Sequence, residues 1–153
     1  MNKRSVKKPP RVILVAEDDD EDFFLLRRAL ARTGLGHLLC HVSNGHQVVE
    51  YLEGLGHFSD RKRFPLPDLL ILDLKMPRFD GFDVLSWIHN SPDVPQIPVV
   101  VFSVSTLFID ELMSAQLGAD GYYVKPSDPE EICKILHVIS RDWLEHDAVA
   151  ERS

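Results

Sequence analysis

Cysteine is almost absent from this chain, with two residues in 153, Cys40 and Cys133. That is too few for a disulfide framework or a cysteine metal centre, and both are expected to be small buried apolar residues. Long hydrophobic runs are missing as well: no apolar stretch approaches the roughly 20 residues that a membrane span requires. The basic N-terminus has no apolar segment behind it, so it does not read as a secretory signal and a cytoplasmic protein is expected. Positive charge is in deficit, because 17 Lys and Arg against 24 Asp and Glu leave a net charge of −7. Phosphate-backbone binding needs the opposite balance, which argues against nucleic acid as the main partner. The histidines form no Cys/His cluster. His37 and His41 are four apart but fall on an expected strand, where that spacing is not ligand geometry, so zinc is not indicated.

What the chain does have is a set of short apolar runs that end in polar residues. The clearest is Leu69-Leu70-Ile71-Leu72, the pattern of a strand buried on both faces of a parallel sheet. It stops at a carboxylate, Asp73. Met76-Pro77 blocks further pairing because proline has no N–H, and Asp80-Gly81 opens an amphipathic segment. The run Val12-Ile13-Leu14-Val15-Ala16 likewise ends in Glu17-Asp18-Asp19-Asp20-Glu21-Asp22. Asp20, Glu21 and Asp22 fit the first turn of a helix, where the macrodipole favours negative charge. Glu17 and Asp18 come too early for that explanation. This helix is expected to bury Phe23, Leu26 and Leu30 and to stop at Gly34.

The rest alternates in the same way. A strand is expected over 37–42. A helix over 44–55 follows, with Val48, Val49 and Leu52 as its stripe, then a partly basic loop, 54–67. After the Asp73 strand comes a helix over 80–90 burying Phe82, Leu85 and Ile88 or Trp87. Val99-Val100-Val101-Phe102 ends in Ser103. A fourth helix is expected over 105–117, with Gly118 as its cap. Tyr122-Tyr123-Val124 runs into Lys125-Pro126. The last helix has Ser127 or Asp128 as N-cap, Pro129 in its first turn, and Ile132, Ile135, Leu136, Ile139 and Trp143 at helical spacing. Residues 1–10 read as a flexible basic tail, 11–146 as the domain, and 147–153 as a flexible tail.

Five strand–helix alternations imply an α/β fold with a doubly wound parallel sheet, and the five-stranded order 2-1-3-4-5 is expected. That order gathers Glu17, Asp18, Asp73, Ser103 and Lys125 around one crevice at the carboxyl ends of the strands. Clustered carboxylates without histidine suit a hard cation such as Mg²⁺, which prefers carboxylates, waters and a phosphate oxygen. One lysine and one hydroxyl supply the remaining charge and hydrogen bond for a phosphoryl group. Asp73 can then act as a nucleophile, forming an aspartyl phosphate.

With these motifs in view, the chain resembles a receiver domain of two-component response regulators, a flavodoxin-like fold, over about 12–144. Within that family the loop ending Phe64-Pro65-Leu66-Pro67-Asp68 is similar to the stand-alone regulators paired with phytochromes. The resemblance implies that Asp73 accepts a phosphoryl group from a sensor histidine kinase, phytochrome-like in this sub-family, or from a phosphotransfer protein. It implies Mg²⁺ held by Glu17, Asp18, Asp73 and the Lys75 backbone carbonyl, with Ser103 and Lys125 on the phosphoryl oxygens. Tyr122 matches the family's aromatic switch position, working with Ser103, and the Lys125–Pro126 bond is expected to be cis. Serine at 103 keeps the required hydroxyl, whereas Val104 departs from the usual small residue and is expected at the rim of the crevice.

The function expected is a single-domain signalling relay rather than an enzyme, since fewer than ten residues follow the last helix and leave no room for an output domain. Its phosphorylation is expected to change a protein-binding face and so reach a downstream target. Leu107, Phe108 and Ile109 are consecutive, and successive helical residues point about 100° apart. They cannot all face the core, so at least one is expected to be exposed near Tyr122, on the side of the fourth helix, fifth strand and fifth helix that the resemblance implies for partners and homodimers. The alternative is an interaction module that kept the fold but works without phosphorylation. A haloacid-dehalogenase-type hydrolase would want its nucleophile in a D-x-D motif after the first strand, which Glu17-Asp18 does not supply.

Overall fold

The computed structural model describes residues 10–145. The two expected tails, Pro10 apart, lie outside the described residues, as does the boundary at 146. Five parallel strands, β1 (Val12–Ala16), β2 (Leu38–Val42), β3 (Leu69–Leu72), β4 (Val99–Ser103) and β5 (Gly121–Val124), form one sheet in the order β2-β1-β3-β4-β5. Helices α1 (Asp20–Thr33), α2 (Gly45–Glu53), α3 (Gly81–His89), α4 (Phe108–Gln116) and α5 (Pro129–Trp143) follow the strands in turn. Both the fold class and the strand order match the sequence reading.

The unbroken apolar runs are explained by two cores, one on each face. Leu14 and Ala16 of β1, Leu70 and Leu72 of β3, and Val99 and Val101 of β4 pack with Val48, Tyr51 and Leu52 of α2 and Val84 and Leu85 of α3. The intervening residues Ile13, Val15, Leu69, Ile71, Val100 and Phe102 pack with Leu26, Ala29 and Leu30 of α1 and Ile132, Leu136 and Ile139 of α5. A fully buried Leu, Ile or Val contributes about 1.5–3 kcal/mol. All four residues of β3 are buried, so the backbone that presents Asp73 is anchored from both sides.

Helix ends follow local chemistry. Asp19 caps α1 by accepting from the Glu21 and Asp22 N–H groups, and Asp20, Glu21 and Asp22 fill its first turn. Asp128 caps α5 ahead of Pro129, settling the choice between Ser127 and Asp128. Asp80 and Asp83 form a reciprocal capping box at α3. Gly118, at φ 101°, closes α4 through bonds from Gly118 N–H to Ala115 and from Ala119 N–H to Ser114; glycine adopts this conformation without a Cβ penalty.

Several details differ from expectation. Phe23 and Phe82 are half-buried; Ala29 and Val84 take the core positions instead, since an aromatic ring at the edge of a helix stripe spans from core to solvent. Cys40 and Cys133 are half-buried against the two cores rather than inside them. The Lys125–Pro126 bond is trans; a tertiary amide leaves only a small preference, so the surroundings decide the isomer. The 54–67 loop is ordered: it holds a 3-10 turn at Gly56–Phe58, buries Phe58, and uses the Arg61 guanidinium to bond the Tyr51 and Leu52 carbonyls at the end of α2. Helix α4 starts at Phe108, three residues later than expected, because the Ser105 hydroxyl accepts the Leu107 N–H at 3.2 Å and holds the segment as a loop. Short hydroxyl side chains compete with the helix in this way. Among the described residues, no helix is long and apolar enough to cross a membrane.

Candidate functional site

The strand order sets the tips of β1, β3, β4 and β5 side by side at one edge of the sheet. Register does the positioning: Ala16 pairs with Leu72, and the Asp73 N–H donates to the Ala16 carbonyl at 3.1 Å. This places Glu17 and Asp18 next to Asp73. One carboxylate oxygen from each of Glu17, Asp18 and Asp73 lies within 4.8 Å of the others. Glu17 and Asp73 are buried, while Asp18 faces solvent.

Lys125 joins them from the tip of β5, its N–H bonded to the Ser103 carbonyl at 2.8 Å. Its Nζ donates to Glu17 Oε1, to Asp73 Oδ2 at 3.1 Å and to Asp22 Oδ2 at 3.4 Å. Burial works to lower the Lys125 ammonium, but the hydrogen bond to Glu17 and the charges of Asp73 and Glu17 outweigh it and hold it above the ordinary lysine value. Burial pushes the Glu17 carboxyl up to about 7, the Lys125 bond opposing and the Asp73 charge adding to the rise. Both shifts are upward, where a simple ion pair would lower the carboxyl; burial and an imbalance of charge account for the difference. A single ammonium is shared by several carboxylates, so the cation is favoured and one anion is not. The remaining negative charge and the all-oxygen donor set suit a hard divalent cation.

The other expected residues take up positions around this cluster. The Lys75 N–H donates to Asp73 Oδ1 at 3.2 Å, orienting the carboxylate from the far side. Ser103 is fully buried, and its hydroxyl accepts the Ser105 N–H at 3.3 Å rather than bonding the carboxylates. Tyr122 lies on the other side of the same loop, its OH donating to the Ser105 carbonyl at 2.9 Å. Val104 is 56% exposed and lines a crevice of about 320 Å³ with Glu17, Lys125 and Pro126. Its exposure shows that it is not folded under α4.

Three contributions were not apparent beforehand. Asp22 reaches Lys125 from the first turn of α1, where the macrodipole alone had seemed to account for it. His41 stacks on Phe23 with ring centroids 3.7 Å apart and bonds the Glu17 carbonyl through Nε2 at 2.8 Å. Gly81 leaves room for main chain: a Cβ there would lie 2.5 Å from the Asp73 carbonyl oxygen and 2.7 Å from Leu74 Cα. The Asp80-Gly81 pair was a visible signal for that approach; nothing in the spacing marked His41.

A parallel five-stranded sheet thus carries a lysine-bridged carboxylate cluster at its strand tips. The response regulator receiver domain model matches residues 13–137, and the chain belongs to that family. It is thus a component of two-component, phosphorylation-based signalling. Response regulator Rcp1 of Synechocystis is 33% identical over 137 residues, covering 90% of this chain and 91% of its own length; a solved Mn²⁺-bound form of Rcp1 matches with TM-score 0.77 over 91% of this chain and 98% of that one. The phosphorylated cyanobacterial phytochrome response regulator RcpA is 31% identical, with TM-score 0.80 over 90% of this chain and 96% of that one. A response regulator in red light signalling of R. palustris is 30% identical, with TM-score 0.85 over 92% of this chain and 97% of that one.

Proposed function

We propose that Asp73 is the phosphoacceptor of a relay fed by a sensor histidine kinase, phytochrome-linked as in the relatives, or by a phosphotransfer protein. The observation that carries this reading is the Lys125 ammonium held against Asp73 Oδ2 at 3.1 Å beside the Glu17–Asp18 pair. One Asp73 carboxylate oxygen attacks the phosphorus of a phosphohistidine, the P–N bond breaks, and the imidazole leaves as the neutral ring after taking a proton. Lys75 N–H orients the carboxylate, Lys125 neutralises charge on the transferred oxygens, and the Ser103 hydroxyl hydrogen-bonds one of them.

Glu17, Asp18, Asp73 and the Lys75 carbonyl would hold Mg²⁺, which supplies charge neutralisation for the phosphoryl group. The chain then acts as a relay, with no separate substrate of its own. Its output is a changed protein surface read by a downstream target or by a second copy through α4, β5 and α5, where Leu107, Phe108 and Ile109 are 61%, 74% and 55% exposed.

Incubation with acetyl phosphate and Mg²⁺ tests the chemistry. An acid-stable, base-labile adduct on Asp73 is expected. It should be absent from Asp73→Asn, and Asp18→Ala should require more Mg²⁺. Wild-type protein left unmodified at saturating donor and metal would overturn the relay in favour of a phosphorylation-independent interaction module.

A further inference from the structure

The acidic run 17–22 leads from the tip of β1 into the first turn of α1, and its like charges repel one another. Its first residue, Glu17, is held at the main chain from β2. The Glu17 N–H donates to the Val42 carbonyl at 3.0 Å, and the Glu17 carbonyl accepts His41 Nε2 at 2.8 Å. A carbonyl oxygen only accepts, so Nε2 carries the proton. Peptide units are planar, so the first bond fixes the plane between Ala16 and Glu17, and the second fixes the plane between Glu17 and Asp18. Together they set φ and ψ of Glu17, and with them the direction of its side chain and the position of the Asp18 Cα. The same imidazole lies flat on Phe23, with ring centroids 3.7 Å apart and planes 6° apart. Phe23 belongs to the first turn of α1, its N–H bonded at 3.0 Å to the carbonyl of the cap residue Asp19. His41 thus grips the acidic run at both ends.

We infer that His41 is a positioning residue for the divalent-cation site, holding the Glu17–Asp18 peptide in the orientation that brings both carboxylates to Asp73. The inference rests on the proposed cation site of Glu17, Asp18 and Asp73. The Lys125 ammonium also restrains Glu17, but through the carboxylate, the group that a cation takes over. The bonds from Val42 and His41 involve only the Glu17 main chain, so they persist when the cation arrives. Persistence matters because Mg²⁺ demands near-ideal octahedral geometry at about 2.0–2.1 Å from its oxygens. Groups that orient metal ligands from behind are typically worth about 10–100-fold in affinity. Val42 contributes a main-chain carbonyl, which any residue at 42 would present. The donor at 41 depends on the side chain, and an apolar residue there would leave the Glu17 carbonyl without it. Turning the ring would break the stack on Phe23, so the stack keeps Nε2 aimed at the carbonyl.

Calorimetric titration of the full chain with Mg²⁺, alongside urea unfolding, tests this. His41→Phe keeps a ring to stack on Phe23 but has no N–H donor, and it should bind Mg²⁺ about tenfold more weakly than wild type. His41→Gln places an amide N–H near the Nε2 position and should recover most of that affinity despite losing the ring. Acetyl phosphate labelling gives a second readout. In His41→Phe the Mg²⁺ concentration for half-maximal labelling rate should rise by the same factor, while the rate at saturating Mg²⁺ stays near that of wild type. If His41 only packs, His41→Gln is the less stable variant and both bind Mg²⁺ as wild type does, which overturns the inference. His41→Gln binding as weakly as His41→Phe overturns it too, since the donor is then not what the site feels. Should His41→Phe fail to fold, His41→Leu carries the same comparison, and unchanged Mg²⁺ affinity there overturns it equally. Wild-type protein that binds no Mg²⁺ is a distinguishable failure, that of the cation site, and takes the inference with it. Wild-type protein that binds Mg²⁺ but is not labelled fails the phosphoacceptor reading alone, and the calorimetric comparison still decides the role of His41.

Discussion

Replacing Gly81 by alanine tests whether the close approach of α3 to the end of β3 holds Asp73 in place. Gly81 is not among the glycines with positive φ, so the new methyl group acts through space alone. It would sit 2.5 Å from the Asp73 carbonyl oxygen and 2.7 Å from Leu74 Cα. Non-bonded carbons prefer about 3.5–4.0 Å, so the two segments must part by about 1 Å. Both obstacles are main chain, and neither can rotate away. The Gly81 N–H bond to the Leu74 carbonyl, 3.0 Å long, is stretched by the same movement. Overpacking of this kind costs about 1–3 kcal/mol. A shift of about 1 Å at a reacting group can cost about 10²-fold in rate. Urea unfolding and the rate of acetyl phosphate labelling measure the two effects. Gly36→Ala is the control: nothing lies within 4 Å of its Cβ, but φ is +74°, so it should lose about 1–2 kcal/mol and be labelled normally. A Gly81→Ala protein within about 0.5 kcal/mol of wild type and labelled at the same rate would refute the reasoning.

Val104→Ala should shorten the lifetime of the phosphorylated form by opening the rim beside Lys125; lifetimes equal within a factor of about two, roughly 0.4 kcal/mol in barrier, would make Val104 no gate. Burial, with the Arg11 charge adding and Glu145 and Asp68 opposing, holds His37 below its ordinary value of 6.5, so it is neutral in the fold while the unfolded chain protonates first. Its stabilising contribution is therefore present above about 6.5 and lost as pH falls below that value towards the folded pKa. His37→Gln should flatten this limb in pH-dependent unfolding, and parallel curves for the two proteins would exclude the effect. Phe108 is 74% exposed; Phe108→Asp should weaken any self-association that sedimentation detects with acetyl phosphate and Mg²⁺, and unchanged assembly would remove α4 from the interface.

The strands were legible because each of the central ones is covered on both faces, so burial leaves no polar position inside the run. The chemistry at their tips was legible for the related reason that polarity returns abruptly where the sheet ends. Glu17, Asp73, Ser103 and Lys125 are each the first or last residue at such a boundary, and the strand order alone brings the boundaries together. Helix α4 lacks that kind of signal. Its apolar residues at 107–109 and 112–113 resemble the start of a buried stripe, yet they face outward, and the residue that delays the helix is a serine whose partners are not defined by any helical or strand period. Ser105 reaches forward to Asp110 and back to Ser103 only because the loop between them takes a particular course. The same holds for His41, whose ring meets Phe23 across two elements. Packing energy explains why these were the obscure parts. α1 and α5 are held by stripes of buried Leu and Ile, each residue contributing about 1.5–3 kcal/mol, which a single hydrogen bond of about 1 kcal/mol cannot overturn. α4 buries only one of its residues, a serine. Its start is fixed mainly by polar contacts, each of a size that the arrival of one charged group can outweigh. Weak apolar anchoring is what makes the position of α4 hard to read from periodicity.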